Sequence, residues 1–173
     1  MDTLWAPWRM KYILELDRGD GCIFCDKVKD DKDRENLILC RGQYCYVMLN
    51  LFPYNNGHLM VIPYKHTDTL TDLSEPERLE FLGLTDQSLK VLQKVLEPDG
   101  FNLGINLGRS AGAGIEDHIH LHIVPRWAGD TNFMPVLGDT KVLSESLEET
   151  YRKLEAEFIN GCSKDAGPKI HKG

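Results

Sequence analysis

The segment from His118 to Trp127, His-Ile-His-Leu-His-Ile-Val-Pro-Arg-Trp, constrains this chain more than any other stretch. Side chains of an extended strand alternate between two faces, so His118, His120 and His122 would share one face while the apolar residues between them point into a core. Buried imidazoles need hydrogen-bond partners, so such a row is unfavourable unless a site uses it. The pattern therefore indicates a functional site. The alternatives are the polar outer face of an edge strand and a fortuitous metal-binding stripe.

Length and charge limit the classes of protein to consider. A chain of 173 residues with 42% hydrophobic residues is long enough for one well-packed domain. We expect that domain over residues 1–161, with an N-terminal arm, and a disordered tail over 162–173. A net charge of −7 argues against nucleic-acid binding, although it leaves room for a small phosphorylated ligand.

The cysteines and the apolar runs bear on location. Five cysteines are an odd number, and only Cys22 and Cys25 are close in sequence, so a disulfide framework is not expected. The other three, Cys40, Cys45 and Cys162, are predicted to be ordinary free thiols. No signal peptide or membrane-spanning run is visible. These features together predict a cytoplasmic protein with no membrane partner.

Hydrophobic periodicity predicts the element order β-β-β-α-β-β-α, and hence an α+β fold in which helices pack against an antiparallel sheet. Strands are predicted at 37–40, 44–49, 58–62 and 101–107 and in the histidine segment. A capping box at Ser74 opens the long helix, and a second helix is predicted from about Leu143 to Gly161. The residues predicted to face the core from the long helix and the fourth strand are Leu82, Thr85, Leu89, Leu92, Leu96, Phe101, Leu103, Ile105 and Leu107.

The loop before the histidines, Gly108 to Gly114, is made almost entirely of small residues. Such a loop can expose consecutive backbone N–H groups to a phosphate, although it is more commonly a flexible hairpin loop. Beside an anion held there, one neutral imidazole could attack phosphorus while a neighbouring imidazole donates to an oxygen. Loop and histidines together therefore indicate chemistry at a phosphate.

Cys22 and Cys25 form a Cys-x-x-Cys pair, which can hold two corners of a tetrahedral zinc site. The pair needs two further ligands, and the sequence has no second Cys-x-x-Cys. The alternatives are a redox pair, which lacks the strand that a thioredoxin-like site requires before it, and two reduced thiols without a ligand.

The histidine motif is similar to the signature of the histidine-triad (HIT) superfamily of nucleotide hydrolases and transferases. Residues 49–63 resemble the upstream strand-turn-strand of that superfamily. Residues 4–12, 104–108 and 125–133 resemble its diadenosine-tetraphosphate phosphorylase-like branch. The resemblance spans about residues 4–155 and implies the HIT-like antiparallel sheet with one long helix and a C-terminal helix.

The resemblance also implies the roles of individual residues. His120 would be the nucleophile that forms a nucleotidyl-histidine intermediate, His122 would assist the leaving group, and His58 would support the nucleophile. Asn50 would meet the ribose. Contacts to the substrate phosphates are implied for Asn106, Ser110, Gly112, Ala113 and Gly114. Independently of the resemblance, Trp127 follows the histidine strand closely enough to reach the ligand, in its own or the partner subunit.

Relatives complete a zinc site with histidines at positions that correspond to His66 and His118, so the resemblance implies structural zinc on Cys22, Cys25, His66 and His118. No organic cofactor is expected. It further implies a homodimer that acts on adenine nucleotides or dinucleoside polyphosphates, with phosphate as the acceptor. Trp5 and Trp8 are expected to pack on the domain or at a subunit boundary.

Two departures from the family pattern leave the acceptor open between phosphate and water. Many relatives place a phosphate-binding Gln just before the triad, where this chain has Ala113-Gly114-Ile115. Some phosphorylases carry Gln at the third triad position, which is His122 here. The expected function is phosphorolysis of diadenosine tetraphosphate to ATP and ADP. The alternatives are hydrolysis of dinucleoside polyphosphates or of adenosine phosphoramidates, and a non-catalytic nucleotide sensor.

Overall fold

The computed structural model describes residues 21–130, 143–158 and 162. Within these residues, five strands form one antiparallel sheet in the order β1-β2-β3-β5-β4, which confirms the predicted α+β class. The elements in chain order are α1 (Ile23–Lys27), β1 (Ile38–Arg41), β2 (Cys45–Leu49), β3 (Leu59–Pro63), α2 (Glu75–Leu96), β4 (Gly100–Ile105), β5 (Leu121–Arg126) and α3 (Leu147–Phe158). No helix among the described residues is both long and apolar enough to cross a bilayer.

The long helix α2 begins where the capping box predicts. The side chain of Ser74 accepts from the backbone of Glu77, and the Glu77 carboxylate accepts the Ser74 N–H at 2.6 Å. The helix buries Phe81, Leu84, Thr85, Ser88 and Leu92 against the sheet. The prediction for Leu82 is wrong, because the buried stripe begins one residue earlier at Phe81 and leaves Leu82 63% exposed.

The carboxylate of Glu80 joins α2 to the turn between β1 and β2. It accepts the consecutive backbone N–H groups of Gln43, Tyr44 and Cys45, at 2.8, 2.5 and 2.7 Å. A charged acceptor on a row of N–H groups makes stronger bonds than a neutral one. This contact fixes the hairpin that begins the sheet to the helix that covers it.

Strand β4 lies at the end of the sheet and is less buried than predicted. Leu103 is 51% exposed and Leu107 is 48% exposed, so their assignment to the core is wrong for the single chain. The alternating pattern in the sequence identifies an apolar face, but it cannot tell whether the same chain covers that face.

The C-terminal helix begins later than predicted and packs beside β1. Leu143 precedes α3 instead of belonging to it. The Tyr151 hydroxyl donates to the Ile38 carbonyl at 2.8 Å, which holds α3 against β1. The prediction of free thiols at Cys40 and Cys162 is wrong: they form a disulfide, because α3 runs over β1 and brings Cys162 to within 5.6 Å of Cys40 between Cα atoms. The rest of the predicted tail lies outside the described residues.

Candidate active site

The three histidines of the motif are all buried, but they do not form one continuous strand. Strand β5 begins at Leu121, so His118 and His120 precede it and only His122 lies within it. The ladder between β3 and β5 ends at Val61 and Leu121. Beyond it the Ile119 N–H donates to the Thr67 carbonyl at 2.7 Å, and His118 Nε2 donates to the Pro63 carbonyl at 2.8 Å. The expectation of a histidine strand therefore holds only for its second half.

The proton on His120 is located by its hydrogen bond. Its Nδ1 lies 2.8 Å from the backbone carbonyl of His118. A carbonyl can only accept, so Nδ1 carries the hydrogen and the neutral ring has its lone pair on Nε2. Burial lowers the pKa of His120, with the bond to His118 opposing that shift, so the neutral form is favoured near pH 7. The ring has the protonation that a nitrogen nucleophile needs.

A second chain of bonds determines the tautomers of His58 and His122. The backbone N–H of Tyr54 donates to His58 Nδ1 at 3.0 Å, so neutral His58 carries its hydrogen on Nε2. That nitrogen lies 2.9 Å from Nδ1 of His122 and donates to it. His122 therefore carries its own hydrogen on Nε2. The His120 and His122 rings meet edge to face, with 4.7 Å between their centroids. The Nε2 lone pair of His120 and the Nε2–H donor of His122 therefore belong to one site.

The four predicted metal ligands come together between α1 and the histidine segment. The ligand atoms of Cys22, Cys25, His66 and His118 all lie within 4.8 Å of one another. Nδ1 of His118 is 3.2 Å from the Cys22 sulfur and 3.5 Å from the Cys25 sulfur, and His66 Nδ1 is 3.5 Å from the Cys25 sulfur. Ligand atoms at the corners of a tetrahedron, each about 2.0–2.3 Å from a central zinc ion, lie about as far from one another as these sulfur and nitrogen atoms do.

The chemistry of these donors also fits a cation. His118 donates through Nε2 to Pro63, so its Nδ1 lone pair faces the two sulfurs. Burial and the adjacent Cys22 raise the pKa of Cys25 to about 11, because two thiolates side by side repel each other. A divalent cation between them would reverse that repulsion and deprotonate both.

The predicted phosphate loop, Gly108 to Gly114, precedes the histidine segment along the chain. Arg109–Ala111 form a single 3-10 turn, and Gly112 follows it with φ +83°, a conformation that glycine adopts without strain. Ser110 and Gly114 are exposed, whereas Ala113 is buried. Asn106 lies just after β4 and is half-buried.

One predicted ligand contact, Asn50, is turned towards the protein. The side chain of Asn50 is buried, with Nδ2 3.4 Å from His58 Nδ1 and Oδ1 accepting the Phe52 N–H at 3.0 Å. Trp127 is half-buried, and its backbone N–H donates to Asp130 at 3.1 Å. Trp5 and Trp8 lie outside the described residues.

Sequence reasoning missed the residues that surround the histidines. The Tyr54 ring lies 4.6 Å from His58 and 5.6 Å from His122, and the Phe24 ring lies 5.0 Å from His120, between ring centroids. Asn55 joins the turn before His58 to the end of β5. The sequence Pro-Tyr-Asn-Asn-Gly predicts a turn, but it does not reveal which residues its side chains contact.

Comparison with known proteins agrees with this geometry. The HIT domain family matches residues 32–129. The AP-4-A phosphorylase of Mycobacterium tuberculosis strain H37Rv is 39% identical over 165 residues, which cover 91% of this chain and 85% of the relative. The asymmetrical bis(5'-nucleosyl)-tetraphosphatase of Schizosaccharomyces pombe is 27% identical over 75% of this chain and 68% of its own length. A crystal structure of a Zn-bound histidine triad family protein from Mycobacterium smegmatis superposes with a TM-score of 0.65 and 28% identity, covering 81% of this chain and 94% of that one.

Proposed function

This chain belongs to the HIT family, and on that premise we propose that it transfers a nucleotidyl group from a dinucleoside polyphosphate through a histidine-linked AMP. The favoured reaction is phosphorolysis of diadenosine tetraphosphate to ATP and ADP. One observation carries the proposal: the His120 Nδ1–H bond to the His118 carbonyl leaves the lone pair on Nε2. The name of the M. tuberculosis relative, AP-4-A phosphorylase, supports the choice of substrate.

In the first step the Nε2 lone pair of His120 attacks the α-phosphorus. A nitrogen–phosphorus bond forms, the bond from that phosphorus to the bridging oxygen breaks, and ATP leaves. The Nε2–H of His122 donates a hydrogen bond to the departing oxygen and stabilises its charge, while the proton stays on His122. His58 keeps this proton on the correct nitrogen, because it donates to the other one.

In the second step inorganic phosphate attacks the histidine-linked AMP. The nitrogen–phosphorus bond breaks, a new phosphorus–oxygen bond forms, ADP leaves, and His120 regains its lone pair. Attack by water would instead yield AMP. The two reactions differ only in the molecule that attacks the histidine-linked AMP, so the residues of the first step serve either one.

The remaining predicted residues would bind the substrate. We propose that backbone N–H groups of the loop surround the transferred phosphate, with Ser110 and Asn106 contributing side-chain bonds. Asn50 would reach the ribose only after exchanging its bond to the Phe52 N–H. The residues assigned to this binding role are Asn50, Asn106, Ser110, Gly112, Ala113, Gly114 and Trp127.

The acceptor is tested by incubating the purified chain with diadenosine tetraphosphate, with and without inorganic phosphate, and separating the products. Phosphorolysis predicts ADP and ATP in equal amounts and turnover only with phosphate. Equal amounts of AMP and ATP in phosphate-free buffer would identify a hydrolase instead. Faster turnover of an adenosine phosphoramidate would identify the phosphoramidase alternative. Nucleotide binding without turnover of either substrate would identify a sensor.

We propose that zinc is held by Cys22, Cys25, His66 and His118, since two thiolates and two imidazoles are a donor set that zinc prefers. The Zn-bound M. smegmatis neighbour supports this assignment. When bound, the ion would supply a structural cross-link between the segment around α1 and the histidine segment. The backbone carbonyl of the ligand residue His118 accepts the bond that orients the His120 ring, so the metal site and the nucleophile are adjacent.

We also propose a homodimer through β4. This strand ends the sheet of the described residues, and Leu82 and Leu103 leave apolar surface beside it. An open strand edge beside an apolar face favours pairing with another chain. Sedimentation of the wild type and of Leu103→Glu tests this, because the variant should sediment as a monomer. The cytoplasmic location stays a prediction, although the Cys40–Cys162 disulfide removes one of its grounds because disulfides are rare in a reducing compartment.

A further inference from the structure

Asn55 fastens the turn that carries His58 to the end of the strand that carries His122. We propose that Asn55 is a positioning residue that keeps His58 donating to His122. The inference rests on the proposed function, because it assigns Asn55 a part in preparing the leaving-group donor. Asn55 acts through His58 and is not itself a catalytic residue.

Both hydrogens of the Asn55 amide are used. Nδ2 donates to the Pro125 carbonyl at 3.0 Å and to Asp130 Oδ2 at 2.8 Å. Oδ1 accepts the Asn56 N–H at 3.1 Å. The two acceptors on one side and the donor on the other fix the orientation of the amide. Asn55 therefore needs its two donor hydrogens, which a carboxylate lacks.

The acceptor on Asp130 is itself held in place. Arg126 donates to both of its carboxylate oxygens, at 2.7 and 2.9 Å, and the Trp127 N–H donates at 3.1 Å. Only 10% of the Asp130 side chain is exposed. A charged, multiply bonded and largely buried acceptor is a firm anchor for the Asn55 amide.

His58 depends on this anchor because it lies just beyond the strand ladder. Pairing between β3 and β5 begins at Leu59, which faces Ile123. The His58 N–H donates to the Asn55 carbonyl at 3.2 Å, and Gly57 between them has φ +71°, which favours glycine. On the β5 side, the bonds of Asn55 replace the ladder that is missing there.

Loosening the turn would change catalysis more than binding. The 2.9 Å bond between His58 and His122 tolerates little displacement. If it lengthens, His122 can carry its proton on Nδ1 instead, and the leaving oxygen loses its donor. Small displacements of catalytic groups lower rates by as much as roughly a hundredfold. We expect kcat to fall while KM changes little.

The experiment compares Asn55→Asp with Asn102→Asp in the purified full chain. Both changes keep side-chain size and add one charge beside the same network. Asn102 Oδ1 accepts from Arg126 at 2.7 Å, a role that a carboxylate fills, so Asn102→Asp is the matched control. In Asn55→Asp, carboxylate oxygens would instead face the acceptors Pro125 O and Asp130. The readouts are kcat, KM, the melting temperature and the imidazole tautomers from long-range ¹H–¹⁵N spectra.

We expect Asn55→Asp to lose the Nε2–H pattern of His122, while His58 keeps its own because the Tyr54 N–H still donates to its Nδ1, and to lower kcat roughly tenfold or more. Asn102→Asp should match the wild type. Wild-type spectra and kcat in Asn55→Asp would overturn the inference. If Asn55→Asp does not fold, Asn55→Ala removes the donors without adding charge and is judged by the same readouts. A tautomer change in a chain whose wild type cleaves no dinucleotide would support the positioning role while refuting the proposed function.

Discussion

Nε2 of His58 lies 2.9 Å from Nδ1 of His122, and the Tyr54 N–H on the other side of His58 sets the direction of that bond. A backbone amide cannot change its role from donor to acceptor, so the direction is fixed through both rings. The backbone thereby determines which nitrogen of His122 presents a proton. This arrangement constrains the tautomer of His122 more strongly than contact between two histidine rings alone would.

His58→Phe should keep the ring shape but remove this constraint. Without a hydrogen bond donated to Nδ1 of His122, that ring can adopt either tautomer, and the departing oxygen can lose its donor. We expect kcat to fall roughly 10²-fold, the lower end of the loss when one hydrogen-bond donor to a developing charge is removed. Steady-state kinetics measure the change. Tyr54→Phe keeps both the ring and the backbone N–H and serves as the control. Unchanged kcat in His58→Phe would show that His122 needs no orienting partner.

His120→Gly should abolish the covalent adenylate. Removing a nucleophile lowers turnover by roughly a thousandfold or more, and the space left by the ring should admit free imidazole as a substitute nucleophile. Intact-mass spectrometry during turnover detects the adenylated wild type and none of the variant. Rescue of activity by imidazole would confirm that the ring nitrogen, not the backbone, had been lost. A labelled variant would assign the nucleophile elsewhere.

Cys22→Ser should lower the zinc content, with Cys45→Ser as the control. Cys22 contributes one of four ligand atoms within 4.8 Å, whereas Cys45 is buried in the core on β2. Metal analysis of freshly purified protein should give about one zinc per chain for the wild type and for Cys45→Ser, and much less for Cys22→Ser. A wild type without stoichiometric zinc would contradict the assignment.

The sequence predicted the order of the strands and of the two longer helices because that order follows local rules, although it did not predict α1. The capping box at Ser74 and the alternation around His122 need no knowledge of distant residues. The Cys40–Cys162 disulfide could not be predicted, because it joins residues 122 positions apart that meet only when α3 packs on β1. The exposure of Leu103 was missed because an apolar strand face does not reveal what covers it.

Glu80→Gln should destabilise the fold without touching the site. The carboxylate accepts three consecutive backbone N–H groups, and an amide would retain one acceptor oxygen while turning its NH₂ towards donors. Losing hydrogen bonds to a charged group lowers the free energy of unfolding by about 2 kcal/mol. Urea denaturation measures the difference. Glu75→Gln, an exposed change in the same helix, should stay within about 0.5 kcal/mol of the wild type.

Reduction of the Cys40–Cys162 disulfide should lower stability. The disulfide closes a loop that spans 122 positions, and constraining the unfolded chain over such a length contributes about 4–5 kcal/mol on the chain-entropy account. The melting temperature of the wild type should therefore fall when a phosphine reductant is added. Cys162→Ser should melt at the lower temperature with or without reductant. Cys45→Ser should respond like the wild type, because its thiol lies outside the bond. If the wild type and Cys162→Ser melt together under oxidising conditions, the bond contributes nothing to the fold.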